Sequence, residues 1–341
     1  MKERIVYLDV IRVVACCMIV LMHSPHPEAG ISGFVLSPLS FLTAAGIGLF
    51  FMVSGALLLP VKVGTGDFLK KRIGKIIGPL LFWTLFYIVI RLLTGSMQTA
   101  DLPISLLSIP FSTQGHGVLW FMYTLTGLYL LAPIISPFLE KADKRELRFY
   151  LFLWTVTLCF PILSLFLDVN RGTMGVLYYF TGYVGYFVLG YYLHIYNSRI
   201  KTVFLMAMII IPLLLLAIHK YYSLLGDFFD IFYFLSITVV VMSVAWFVGI
   251  SKMVEAYRLR ATQLLIELSN ASFGIYLMHI FVMRNILWHF DFIVYTFGGI
   301  GQIVITWVMT FAISFALTYL ISYLPYAEYI VGYKHKKLND S

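Results

Sequence analysis

Three side chains that can carry acid–base or anion-binding chemistry stand in the first apolar stretch, YLDVIRVVACCMIVLMHS: Asp9, Arg12 and His23. An ionisable group inside a membrane span costs at least about 2.5 kcal/mol on insertion, so it needs a partner or a function. Arg12 and His23 are eleven residues apart. On an α-helix this spacing leaves them about 20° apart around the axis and roughly 16 Å apart along it. Asp9, one turn earlier, can pair with Arg12.

This stripe has two interpretations. In the first, a cation near one end of the helix and a base near the other serve a reaction. In the second, Asp9 and Arg12 lie at the membrane surface with their apolar stems buried, and His23 only ends the helix. The first helix alone does not separate them.

Other polar residues recur at helical spacing. In ASFGIYLMHI, Tyr276 and His279 are three residues apart and share a face, and in DFLKKRIGKIIGP the same holds for Arg72 and Lys75. The basic pair fits either a phosphorylated ligand or simple anchoring at the membrane surface. Ser54, in FFMVSGALLLP, fits either close helix packing or a space for substrate.

A third group combines rings with hydrogen-bonding atoms. His116, Trp120 and Tyr123 lie in HGVLWFMY, at the expected start of a helix. They match the aromatic belt of a membrane interface. They also suit a sugar acceptor, because sugars present both apolar faces and hydroxyls.

The elements that position these residues are transmembrane helices. The chain has 341 residues, of which 61% are hydrophobic and 12% charged, too few charges for a soluble domain of this size. Apolar runs of about twenty residues predict an all-α integral membrane protein, a polytopic bundle of about ten helices. The expected spans are 7–24, 39–59, 73–94, 118–139, 148–167, 175–196, 202–219, 229–250, 264–288 and 298–323. The segment LPISLLSIPF, residues 102–111, is too short to cross and is expected at the interface.

Loop charges orient this bundle. With both termini in the cytoplasm, only Arg171 and Lys220 face the other side, and Arg12, Arg91 and Arg284 lie within spans. The remaining 19 of the 24 Lys and Arg residues are then cytoplasmic, as the positive-inside rule requires. The net charge of +8 therefore reflects topology, and nucleic acid is not expected as a partner.

The chain is expected to form one transmembrane domain, 1–341, without a separate soluble domain. Lys2 and Arg4 before an apolar core resemble a signal peptide, but no clear cleavage site follows, so this helix is expected to be retained. Cys16, Cys17 and Cys159 all lie in apolar runs and are interpreted as packing residues. No metal site is expected, because the histidines lack a local ligand cluster.

Taken in order, these segments resemble the membrane-bound acyltransferase-3 family, bacterial O-acyltransferases of surface polysaccharides and related molecules. The arginine–ten residues–histidine pattern of LDVIRVVACCMIVLMH carries most of the resemblance. FFMVSGALLL, FLKKRIGKIIGPLLFW, LWFMYTLTGLYLLAP, GYFVLGYYL and SFGIYLMH match in style and order. The chain departs from the family in one position, since the basic segment often reads Arg-x-x-Arg and here reads Arg72-x-x-Lys75.

The resemblance implies a bacterial inner-membrane enzyme that moves an acyl group, expected to be acetyl, from cytoplasmic acetyl-CoA to a hydroxyl of an envelope glycan or lipid-linked sugar. Arg12, Arg72 and Lys75 would bind the phosphates of CoA, and the thioester would pass Ser54. His23 would act as general base or carry the acyl group transiently. His279 and Tyr276 would orient groups or stabilise the oxyanion, and Asp9 would hold Arg12. His116, Trp120 and Tyr123 would contact the acceptor.

Two other classes of function stay open. A transporter or flippase for a polar envelope precursor could use the same buried charges. A non-catalytic component of an envelope assembly would tolerate the loss of both Arg12 and His23. Consumption of acetyl-CoA separates the enzyme from both.

Overall fold

The computed structural model of the protein describes residues 4–113, 117–196, 200–222 and 227–335. Over these residues the regular structure is helical, as predicted. The α-helices are α1 (Val6–His23), α2 (Gly33–Leu58), α3 (Thr65–Leu93), α4 (Leu102–Leu107), α5 (Trp120–Lys141), α6 (Lys144–Leu163), α7 (Val184–Tyr196), α8 (Thr202–Tyr222), α9 (Phe228–Ile231), α10 (Ile237–Ala256), α11 (Gln263–Asn285), α12 (Gly299–Ile321) and α13 (Glu328–Val331).

The membrane-spanning helices agree with the sequence prediction except at two positions. Nine of the described helices are long and apolar enough to cross a membrane. The sixth predicted span, 175–196, contains only a short 3₁₀ turn and the 13-residue α7, which is shorter than the usual span. The eighth, 229–250, is broken after α9, and its long helix α10 runs from Ile237 to Ala256. The 102–111 segment forms the short, exposed helix α4.

The bundle has a buried centre and a lipid-facing periphery. α2 is the most buried spanning helix, with 72% of its apolar window inside the protein, whereas α8 has 17%. α1, α7 and α10 pack against α2, and α11 packs against α1 and α12. α1 therefore runs through the interior with neighbours on several sides, which explains how its polar side chains are held away from lipid.

Glycines let α2 and α7 approach very closely. A Cβ added to Gly55 would lie 1.8 Å from the carbonyl oxygen of Phe187, and one added to Gly190 would lie 2.0 Å from that of Met52. This is the packing expected of small residues in membrane helices. Gly55 thus serves packing, which leaves its neighbour Ser54 free to face a cavity.

Loops that the charge pattern assigns to one side of the membrane do gather at one end of the bundle. We call the end at which α1 begins the basic end. There Lys252, at the end of α10, hydrogen-bonds the carbonyl of Ile200, and Lys144 lies over the Tyr196 ring at 5.2 Å. At the opposite end, where α1 finishes, Lys220 hydrogen-bonds the Gly33 carbonyl.

The three cysteines are free thiols within the spans. Cys16 is buried, and Cys17 and Cys159 are partly buried. Their positions agree with the packing role predicted for them.

Candidate active site

Arg12 is held by a network that joins α1 to α11. Its guanidinium donates to the Ser269 hydroxyl at 3.0 Å, and that hydroxyl donates to Asp9 at 2.6 Å. Asp9 also accepts two hydrogen bonds from Arg4, at 2.5 and 3.0 Å. Arg12 lies 3.7 Å from the same carboxylate, so Asp9 holds Arg12 as the helical spacing predicted. The network orients the guanidinium and neutralises only part of the local positive charge.

Two adjoining cavities open beside Arg12. The larger, about 680 Å³, lies at the basic end and is lined by Arg4, Asp9, Arg12, Lys62 and Arg72 among others. The second, about 240 Å³, is lined by Arg12, Ser54, Arg72 and Lys75. Arg12 and Arg72 line both, so the two spaces adjoin at these side chains.

All the residues expected to bind the donor therefore share one space, although they come from three helices. Arg12 is on α1, Ser54 on α2, and Arg72 with Lys75 on α3. Among the described residues neither Arg72 nor Lys75 forms an ion pair. The cavity thus offers cations whose charge is available to an anionic ligand.

His23 lies at a third, smaller cavity of about 60 Å³. Its lining is mainly apolar and aromatic, with Trp120, Tyr233 and Phe234 contributing rings. The Trp120 and Phe234 rings are stacked, with centroids 5.6 Å apart. The imidazole of His23 is partly buried and faces this mostly apolar space.

Tyr276 separates the second cavity from the cavity of His23, because its side chain lines both. Its hydroxyl donates to the main-chain carbonyl of Val118. In this arrangement the hydroxyl already donates its hydrogen to that carbonyl and has no second hydrogen to donate to an oxyanion. The predicted oxyanion role of Tyr276 stays a prediction and requires that hydrogen bond to open.

His279 lies directly behind His23. The two ring centroids are 5.4 Å apart, and His279 is fully buried. Its Nδ1 lies 2.6 Å from the carbonyl oxygen of Tyr276. The structure thus brings together three of the four residues that the sequence singled out as catalytic, His23, Tyr276 and His279. Arg12 lies apart from them, at the far side of the second cavity.

The residues predicted to bind the acceptor are not all in one place. Trp120 lines the His23 cavity. Tyr123 does not, and its hydroxyl contacts the carbonyls of Ile109 and Ser112 at 2.5 and 2.9 Å, so it secures the preceding loop. His116 lies outside the described residues.

Sequence reasoning missed several residues of this site. Ser269, Arg4, Tyr129 and Tyr233 all line or organise the cavities. Only Ser269 had a local signal, as a small polar residue inside an apolar span. Tyr233 lies between α9 and α10, and no pattern around it predicts a position beside His23.

No group of three His, Cys, Asp or Glu side chains suited to a metal ion occurs in the part of the chain that the structure describes.

Comparison with known families identifies one match. A family model described as an acyltransferase domain matches residues 5–327, which is nearly the whole chain. No curated protein and no solved structure matched the chain.

Proposed function

Because the chain belongs to the acyltransferase-3 family of membrane acyltransferases, we propose that it transfers an acyl group from acyl-CoA to a hydroxyl of a cell-envelope glycan or lipid-linked sugar. The observation that carries the proposal is the series of adjoining cavities. It leads from the cations at Arg12 and Arg72, past Ser54, to Tyr276 and then to His23.

The two larger cavities suit the donor. CoA carries a pyrophosphate and a 3′-phosphate, and guanidinium groups bind phosphate through paired hydrogen bonds. In the proposed complex the nucleotide occupies the cavity at the basic end. The pantetheine arm then extends past Ser54 and brings the thioester towards His23.

The proposed orientation puts the basic end in the cytoplasm, where acyl-CoA is found. It rests on the excess of Lys and Arg in the loops of that end. The protein would then be a multi-pass protein of the bacterial inner membrane, with the acceptor reaching His23 from the opposite end.

His23 is proposed as the general base. A sugar hydroxyl is a poor nucleophile at neutral pH, and imidazole is suited to remove its proton. The acceptor oxygen then forms a bond to the thioester carbon, the carbon–sulfur bond breaks, and the released thiolate takes up the proton to give CoA. In a variant of this route His23 carries the acyl group between donor and acceptor.

The small cavity at His23 favours a short acyl group. Its volume of about 60 Å³ and its apolar lining of Ile19, Met22 and Ile47 suit the methyl of an acetyl group better than a longer, charged chain. Trp120 and Tyr233 would provide ring faces for the acceptor sugar. Acetyl-CoA is therefore the donor to test first.

The test uses purified protein in detergent. CoA release from acetyl-CoA is measured for the wild type, His23→Ala and Arg12→Ala, and acetyl-CoA binding is measured on the same samples. We expect slow release by the wild type that both variants lose. His23→Ala should still bind acetyl-CoA, because His23 does not line the two larger cavities.

Two results would contradict the proposal. Retained CoA release in His23→Ala would refute the role of His23 as the base. Absence of acetyl-CoA binding by a folded wild type would refute acetyl-CoA as the donor. A transporter would bind its cargo without breaking a thioester, so binding alone, with no release even when glycan acceptors are added, would favour that class.

A further inference from the structure

His279 has one ring nitrogen with a partner and one without. The carbonyl oxygen of Tyr276 can only accept, so the contact at 2.6 Å means that Nδ1 of His279 carries a hydrogen. In the neutral ring Nε2 is then a bare acceptor. It is buried and has no hydrogen-bond partner among the described residues. Such a group costs about 1–3 kcal/mol and calls for an explanation.

The ring that faces His279 belongs to His23. Their centroids are 5.4 Å apart with the planes inclined by 40°. His23 lines the small cavity and His279 does not, so the substrate side of His23 is opposite His279. The guanidinium of Arg284, on the same helix as His279, lies over the Trp288 ring at 5.7 Å.

A histidine base works best when a second group accepts a hydrogen bond from the N–H of its other ring nitrogen. That hydrogen bond fixes the tautomer, holds the ring, and stabilises the imidazolium that forms. A carboxylate commonly has this role. Among the described residues neither histidine forms an ion pair with a carboxylate, and Arg284 is the cation whose charge acts on both rings.

We propose that His279 is the positioning residue of His23, and that its Nε2 lone pair accepts the N–H of His23 when substrate is bound. This rests on the proposed function, in which His23 is the base. The two nitrogens are not in hydrogen-bond contact here, and such contacts often tighten only in the substrate complex. The same tautomer argues against an oxyanion role for His279, because its only N–H is directed at the Tyr276 carbonyl.

Two amide substitutions separate this role from a structural one. In His279→Asn the amide nitrogen replaces Nδ1–H and keeps the bond to the Tyr276 carbonyl, but nothing replaces Nε2. In His279→Gln the amide reaches the Nε2 position and its oxygen can accept from His23, whereas the bond to Tyr276 is lost. If His279 has only a structural role, the Asn variant should have the higher kcat. If His279 positions His23, the Gln variant should have the higher kcat.

We expect kcat for acetyl transfer to fall on the order of 100-fold in His279→Asn, the range typical of a disturbed general base. The KM for acetyl-CoA should change much less, because the donor cavities do not include His279. His279→Gln should retain about ten times the kcat of the Asn variant. Equal kcat in the two variants, or a higher kcat in Asn, would overturn the proposal.

A second measurement covers the case in which both variants unfold. In ¹⁵N-histidine-labelled protein, the Nε2 resonance of His279 should shift when His23 is replaced by Ala, because the hydrogen-bond donor is gone. An unchanged resonance, with an acyl donor bound, would exclude the pairing. Absence of acetyl transfer by the wild type would instead refute the proposed function, so the two failures are distinguishable.

Discussion

Ser269 is the residue that connects Arg12 to Asp9. It donates to the carboxylate at 2.6 Å and accepts from the guanidinium at 3.0 Å. Ser269→Ala leaves both charged groups in place but removes their bridge, at a cost of about 1–2 kcal/mol. We expect the KM for acetyl-CoA to rise roughly tenfold, with kcat changed little, in steady-state assays of CoA release.

The matched control is Ser243→Ala. Ser243 is also a buried serine, but its hydroxyl bonds a carbonyl in its own helix, so KM should not change. A fall in kcat with unchanged KM in Ser269→Ala would show that the network serves the chemical step and not donor binding.

Lys75 is the position at which the resemblance to the family leads us to expect arginine. It lines the second cavity together with Arg72. Lys75→Met should raise the KM for acetyl-CoA about tenfold and weaken its dependence on salt, because one cation is lost from the phosphate site. Lys75→Arg keeps the charge and adds a planar fork, so its KM should equal or fall below that of the wild type.

Lys71→Met is the control for Lys75. Lys71 is exposed and lines neither donor cavity. If Lys71→Met and Lys75→Met raise KM equally, the effect is one of general surface charge and the phosphate contact at Lys75 is refuted.

At the scale of helices, the approach of α2 to α7 gives the sharpest prediction about stability. Added Cβ atoms at Gly55 and Gly190 would meet main-chain carbonyls at 1.8 and 2.0 Å, and backbone does not move aside as a side chain does. Gly55→Ala or Gly190→Ala should therefore destabilise the protein by about 1–3 kcal/mol or more. Gly249→Ala, with nothing within 4 Å of its Cβ, should not. Thermal unfolding in detergent is the measurement, and equal melting temperatures for all three would refute this packing.

The helices themselves could largely be predicted, because length and apolarity are local properties. Where the prediction was wrong, the apolarity of a segment did not determine where its helix begins. The sixth span is apolar enough for twenty residues, yet glycines and aromatic residues before α7 leave only 13 in the helix. On α12, Thr306, Thr310, Ser314 and Thr318 recur every four residues and are fully buried. This polar stripe was readable as one helix face, but the sequence does not state which neighbour it packs against.

At the scale of the whole molecule, the candidate site also has one part that the sequence predicts and one part that it does not. The stripe of Arg12 and His23 follows from the geometry of one helix and was predicted. The contacts that complete it, Ser269 with Asp9 and His279 with His23, join positions more than 250 residues apart. They depend on how α11 packs against α1, and no spacing within either helix contains that information.

The orientation of the bundle is a property of the whole molecule and can be tested without any assay of activity. The loop charges predict that the basic end is cytoplasmic, because Lys and Arg are retained on that side during insertion. Single cysteines at Lys141, which is exposed at the basic end of α5, and at Met174, which is 90% exposed in the loop after α6, provide the matched pair. Both are introduced with Cys16, Cys17 and Cys159 replaced. In intact cells a membrane-impermeant maleimide should label Met174→Cys at once and Lys141→Cys only after permeabilisation. The reverse pattern would put the cations of the donor cavities outside the cytoplasm, where acyl-CoA cannot reach them, and the proposed donor would have to be abandoned even if His23 proved essential.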